Sequence, residues 1–126
     1  MTWSILARDE SGYFGMAIAS RFFAVGSLCV HSRRAVGALS SQALLNPLYG
    51  QAGLDLLDQG LSPEQTIATL IATDQGCEQR QLHILPFKGL PAAHTGSACV
   101  DWCGHILEDG LSVAGNMLAG PKVLEH

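Results

Sequence analysis

The sequence predicts an α+β fold with antiparallel strands and helices laid over one face. Three observations carry that prediction. A segment with strand periodicity opens the chain and turns back on itself. Two segments with helix caps occupy the middle, and a second strand–turn–strand pattern closes the chain.

Residues 2–9 alternate, with Trp3, Ile5 and Ala7 on one face and Thr2, Ser4, Leu6 and Arg8 on the other, the pattern of a half-buried strand. Asp9-Glu10-Ser11-Gly12 supplies turn chemistry, and Tyr13 to Ser20 read as the returning strand. Ser20 and Arg21 therefore emerge at a strand end, where side chains of neighbouring strands converge. A short loop, RFFAVGS, leads into CVHSRRAVGALSSQA, read as further strand, with Gly37 marking a bulge or a close backbone approach.

Asn46 caps a first helix with Pro47 at its first position, where the missing N–H costs nothing. Ala52, Leu56 and Leu57 give that helix its apolar side, and Gly60 ends it. Ser62-Pro63-Glu64-Gln65 is a capping box on a second helix, with Ile67, Leu70 and Ile71 facing inward and Gly76 as the stop. RQLHILPF then reads as strand, passing through Lys88-Gly89 into LPAAHTG. CGHILEDGLSVAGN is a hairpin built on Asp109-Gly110, the strongest turn signal in the chain.

At 126 residues the chain is expected to form one domain, residues 1–123. Leu124-Glu125-His126 reads either as a tag remnant or as native sequence. Charged residues make up 14% of the chain, where about 25% is usual, so part of the surface is expected to be covered by a partner chain or by further sequence. A homo-oligomer follows from that expectation. The net charge of −4 has no long runs of either sign, and Arg33-Arg34 is the one adjacent basic pair, which argues against a nucleic-acid partner. No apolar stretch approaches the ~18 residues of a membrane span and no leader begins the chain, so no membrane partner and a cytoplasmic location are expected. Cys29, Cys77, Cys99 and Cys103 are expected to be reduced thiols. His94, Cys99, Cys103 and His105 crowd metal-ligand types together, but C-x3-C followed by x-H matches no common zinc spacing. No metal and no cofactor are expected.

The candidate chemistry begins at Thr2. A small residue after Met1 favours removal of the methionine, leaving a hydroxyl and a free α-amine on one residue. An α-amine has a pKa of about 7.7–8.0 and acts as a base near neutrality. Held beside a threonine hydroxyl, it is positioned to activate it. A retained Met1 would make that nitrogen an amide and remove the base. Arg21 suits an anionic group through its planar fork. Asn116, in GN at 115–116, is a donor for an oxyanion, and the HTG segment at 94–96 allows close backbone approach to a ligand. No phosphate loop and no G-x-S-x-G elbow is present.

Four segments taken together, SILARDESGYFGMAIASRFFAVG, SSQALLNPLYGQAGLDLLDQGLS, RQLHILPFKGLPAAHTGSACVDWCGH and GNMLAGPKV, resemble a bacterial and archaeal family. That family is known only as a domain of unknown function and is placed in the N-terminal nucleophile aminohydrolase superfamily. The resemblance runs over nearly the whole chain and implies two antiparallel sheets sandwiched between helical layers. It implies a nucleophile at the first mature residue, Thr2, and hydrolysis of an amide bond. Matching motif positions are Ser20, Arg21, Gln42, Asn46, Tyr49, Gly50, Arg80, Gln81, His94, Thr95, Gly96, Gly115 and Asn116. Members of the family continue well past the GN…GP motif, so the chain is expected to be the N-terminal part of the family fold.

The function expected is an amidohydrolase acting on a small amide or peptide-like substrate. Thr2, Arg21 and Asn116 are expected to be catalytic, and Ser20, Gln42, Asn46, Tyr49, His94, Thr95 and Gly96 to bind substrate. The alternative is a non-catalytic ligand-binding or interaction module that keeps the sandwich.

Overall fold

A computed structural model of the chain describes residues 1–125. The opening alternation becomes strand β1 (Thr2–Arg8), and the Asp9–Gly12 turn, with Gly12 at φ 83°, returns the chain as β2 (Phe14–Ser20). The next seven residues hold more than a loop, because a four-residue helix α1 (Gly26–Cys29) follows Val25. CVHSRRAVGALSSQA divides into β3 (Val30–Arg33) and β4 (Gly37–Ala43), which pair as a hairpin. Gly37 marks a close approach, since a Cβ there would lie 3.0 Å from the Leu85 carbonyl oxygen and 3.1 Å from Leu57.

The helices are α2 (Leu48–Asp58) and α3 (Pro63–Ala72). The Asn46 side chain accepts from the Leu48 N–H at 3.1 Å, so it caps α2 although the regular helix begins a residue later than expected. On α3 both halves of the capping box form, Gln65 N–H to Ser62 Oγ at 3.2 Å and Ser62 N–H to Gln65 Oε1 at 2.9 Å. A 3-10 turn (Cys77–Gln79) leads to β5 (Arg80–Pro86) and β6 (Ala92–Thr95). The Asp109-Gly110 hairpin then joins β7 (Gly104–Glu108) to β8 (Leu111–Asn116), and α4 (Lys122–Glu125) follows.

The strands make two antiparallel four-stranded sheets, ordered β2-β1-β8-β7 and β3-β4-β5-β6, stacked face to face. The fold class is therefore α+β, as expected. Helices α2 and α3 cover the outer side of the second sheet, where Leu39, Leu82, Ile84 and Ala92 pack against Tyr49, Leu54 and Ile67. The buried side of α2 is Tyr49, Gly50, Gly53 and Leu54, rotated from the expected Ala52–Leu56–Leu57 side. Gly50 and Gly53 cause the rotation: a Cβ would meet the His31 ring at 2.4 Å and Leu39 at 2.7 Å. On the outer side of the first sheet, Trp3, Ile5, Trp102 and Ile106 pack with Val113, Leu118 and Leu124.

The layer between the sheets is not wholly apolar. Leu6, Ala38 and Leu85 fill one part of it. The rest is Ser4, Ser40, Gln42, Gln81, His83, Ser112 and Asn116, all buried. Burial of so many polar groups is tolerable only where each finds partners. Among the described residues no helix is long and apolar enough to cross a membrane.

Candidate active site at the end of the central strands

β1 lies between β2 and β8, and its register sets Thr2 opposite Ser20 on one side and opposite Asn116 on the other. Three of the expected site residues thus form a row at one end of the sandwich. Thr2 Oγ1 lies 2.9 Å from Ser20 Oγ. Ser20 Oγ in turn donates to the Met1 carbonyl at 3.1 Å and accepts from the Phe22 N–H at 3.1 Å. A serine hydroxyl has one proton, so with that proton on Met1 the shared bond is donated by Thr2. Among the described residues no histidine or carboxylate reaches Thr2 Oγ1. The Thr2 nitrogen is the group on hand that could become a base, and while Met1 is attached it is an amide.

A cleft of about 580 Å³ opens over this row, lined by Thr2, Ser20, Arg21 and Asn116 and rimmed by apolar side chains. A second lobe of about 260 Å³ also reaches Thr2 and is lined by Val25, Cys29, Gln42 and Leu45. Phe22, Ala43 and Leu44 line both. Two cleft residues hold left-handed backbone without being glycine, Ala43 at φ 66° and Met117 at φ 52°, each at the end of a strand that feeds the cleft. Such conformations cost energy and concentrate at functional sites. Neither residue type carries a turn signal, so nothing in the sequence announced them.

Below the cleft runs a hydrogen-bonded chain. Ser4 Oγ donates to Gln42 Oε1 at 2.6 Å, which fixes His83 Nε2–H as the donor to Ser4 at 2.8 Å and leaves Nδ1 to accept from Ser112 Oγ at 2.7 Å. Gln42 Nε2 donates to Gln81 Oε1 at 2.7 Å, and Asn116 Nδ2 donates to the same oxygen at 3.3 Å. Gln81 Nε2 is spent on Thr95 Oγ1 and on the Gly104 and Gly115 carbonyls. Asn116 is thereby oriented beside Thr2 with one amide hydrogen committed to Gln81 and a second left for a ligand. Burial, followed by the charge of His105, pushes the His83 pKa down to about 3, so the ring is neutral. Gln81, which ties Asn116 to Gln42, was expected only as a motif position.

The other expected binding residues lie elsewhere. His94 pairs with Leu82 on the helix-facing side of the second sheet, and its Nε2 lies 2.9 Å from the Cys77 carbonyl. Tyr49 belongs to the helix-side core, and its hydroxyl donates to Asp74. Arg80 Nε holds Asp74 at 2.5 Å; that bond, then the Tyr49 bond, keeps the carboxyl far below its usual range. Burial, then Asp74, pushes the Tyr49 phenol well up. Asn46 is a helix cap. Gly96 exists for close packing, because a Cβ would lie 2.2 Å from the Glu78 carbonyl oxygen. Thr95 faces the layer between the sheets, bonded to Gln81 and to His105 Nδ1 at 2.9 Å, and touches the site only through Gln81. Strand alternation puts His94 and the Thr95–His105 pair on opposite faces, so the metal-ligand types counted in the sequence do not converge. Cys99 lines the cleft as a buried thiol, its pKa raised first by burial.

A family model described as a family of unknown function, DUF1028, matches residues 2–126. The chain belongs to the DUF1028 family. A crystal structure of a protein from Silicibacter pomeroyi, given the same DUF1028 family model, is 32% identical and superposes with a TM-score of 0.94 over 98% of this chain. The chain spans 58% of that protein's length. No curated protein matches the sequence. Residues 124–126 fall within the DUF1028 match, and Leu124 packs under the first sheet; His126 lies outside the described residues.

Proposed function

We propose that this DUF1028 chain carries the site of an N-terminal nucleophile amidohydrolase, with the sandwich of that superfamily, acting on a small amide or peptide-like substrate. The observation that carries the reading is the placement of Thr2 at the head of the central strand, in an open cleft, between Ser20 and Asn116. Once Met1 is removed, the freed α-amine takes the proton of Thr2 Oγ1 as that oxygen attacks the substrate carbonyl. The second Asn116 amide hydrogen stabilises the oxyanion, and the amine passes its proton to the departing nitrogen as the C–N bond breaks. Water then cleaves the ester on Thr2 by the same route in reverse. Arg21, exposed at the cleft mouth, orients the substrate.

Two measurements test this. Intact-mass analysis of protein purified from its native host is expected to give a chain beginning at Thr2. Thr2→Ala is expected to remove amide hydrolysis while Thr2→Ser retains part of it. Native material with Met1 fully in place would leave the mechanism without a base.

A second reading, a binding module without chemistry, draws on one feature. With Met1 attached, its carbonyl is held by Ser20 and its amine sits 3.1 Å from Met117 Sδ, so the first residue is fixed as part of the cleft wall. Labelling of Thr2 by an electrophilic probe for activated threonine would reject that reading.

A further inference from the structure

The two lobes that meet at Thr2 differ in chemistry. The larger contains Arg21, the one charged side chain among its lining residues. Among the described residues neither Arg21 nor Arg34 pairs with a carboxylate, whereas Arg8, Arg33 and Arg80 are each held by an aspartate, and of the two free guanidiniums only Arg21 lines the cleft. The smaller lobe holds no charged group: Val25, Cys29, Leu45, Phe22 and Leu44 line it, with Gln42 and Thr2 at its inner end. Phe22 and Leu44 are 58% and 55% exposed, an arrangement unfavourable in water unless an apolar group covers them. A guanidinium without a protein partner beside an apolar recess is complementary to a molecule with a carboxylate at one end and a hydrocarbon arm at the other.

We propose that the cleft takes an N-acyl amino acid, with the apolar acyl group in the small lobe, the carboxylate on Arg21, and the amide between them at Thr2. This rests on the amidohydrolase reading for the chemistry but not for the binding. With that chemistry, one water is consumed, the amide C–N bond breaks, and the products are an apolar carboxylic acid and a free amino acid. An amide placed across the junction of the lobes brings its carbonyl carbon to Thr2 Oγ1 and its oxygen toward Asn116.

The test is calorimetric binding of N-octanoylglycine, its neutral analogue N-octanoylglycinamide, and N-acetylglycine to the Thr2→Ala protein, which cannot turn them over. N-octanoylglycine is expected to bind at least tenfold more tightly than either of the others. Arg21→Gln should bring N-octanoylglycine and its amide to parity. Phe22→Ala, an exposed change that leaves the fold alone, should narrow the gap between octanoyl and acetyl. Equal binding of the charged and neutral octanoyl compounds to the Thr2→Ala protein would overturn the proposal. So would hydrolysis of the neutral amide by the Met1-free protein as efficiently as of the acid, although the hydrolase reading would then survive. Selective binding of N-octanoylglycine without turnover by the Met1-free protein would uphold the ligand class and reject the hydrolase reading.

Discussion

Thr2 Oγ1 has a hydroxyl as its neighbour at 2.9 Å, and Ser20 in turn donates to the Met1 carbonyl at 3.1 Å, a bond that goes with the methionine when it is removed. The strained residues beside them have a different character. Met117 holds φ 52° and is 49% exposed, so packing of its side chain contributes little to the conformation. The backbone maintains it: the Met117 N–H donates to the Val100 carbonyl at 3.0 Å and Leu118 pairs with Trp102. A left-handed conformation costs an L-residue about 1–2 kcal/mol, and glycine's greater freedom in the unfolded chain returns roughly half of that. Met117→Gly is accordingly expected to raise stability by about 0.5–1 kcal/mol, measured as a shift in the urea midpoint. A lower midpoint would mean that the methionine side chain contributes more by contact than its backbone loses by strain.

Whole elements were legible where local chemistry decides them. The capping box of α3 is written in Ser62 and Gln65, and both its bonds form. Ser62→Ala should cost about 1 kcal/mol in thermal or denaturant unfolding, and Ser62→Asp much less, because an aspartate still accepts from the Gln65 N–H. The β7–β8 hairpin is equally local, with Gly110 at φ 74°. The β3–β4 hairpin was missed because its turn places Ala35 at φ 59°, a conformation no residue in Arg34-Ala35-Val36 advertises. The buried side of α2 was misjudged for a related reason. An apolar count gives no weight to Gly50 and Gly53, yet these let the helix settle onto His31 and Leu39. Legibility at the site follows the same division. Thr2, Ser20, Arg21 and Asn116 stand out because each sits at a strand end. Gln42 and Gln81 find each other only after β4 and β5 pair, and reach Ser4 and Asn116 only after the sheets stack. His94 lies on the helix-facing side of its sheet rather than beside Thr2, because a single residue of strand register decides which face a side chain serves.

At the scale of the molecule, the two sheets are joined through a polar layer, and His83 at its centre makes that layer sensitive to pH. The ring bridges Ser4 on β1 and Ser112 on β8 from its own place on β5, and it is fully buried. Its pKa of about 3 in the folded chain compares with about 6.5 for an unfolded histidine. Above pH 6.5 both states are neutral and the layer's stability is complete. As pH falls below that value the unfolded chain takes up a proton that the folded chain refuses, so stability declines by up to about 1.4 kcal/mol per pH unit until the native ring protonates near pH 3. His105, also shifted down by burial, adds a contribution of the same sign. Asp74 acts in a lower range: its carboxylate stays ionised in the folded chain and costs stability only once unfolded aspartates protonate below about pH 4. Glu78, held below its ordinary value by its Ser97 hydrogen bonds, enters as unfolded glutamates protonate below about pH 5, so between pH 6.5 and about 5 the decline belongs to the histidines. His83→Gln keeps a donor for Ser4 and an acceptor for Ser112 but has nothing to protonate. Urea unfolding across that interval is expected to give a variant whose stability falls less steeply, by up to one proton's worth of slope, whatever its stability at pH 7. Parallel curves for the two proteins would mean that the ring takes up its proton as readily folded as unfolded, which an imidazole sealed between two sheets with both nitrogens engaged cannot do.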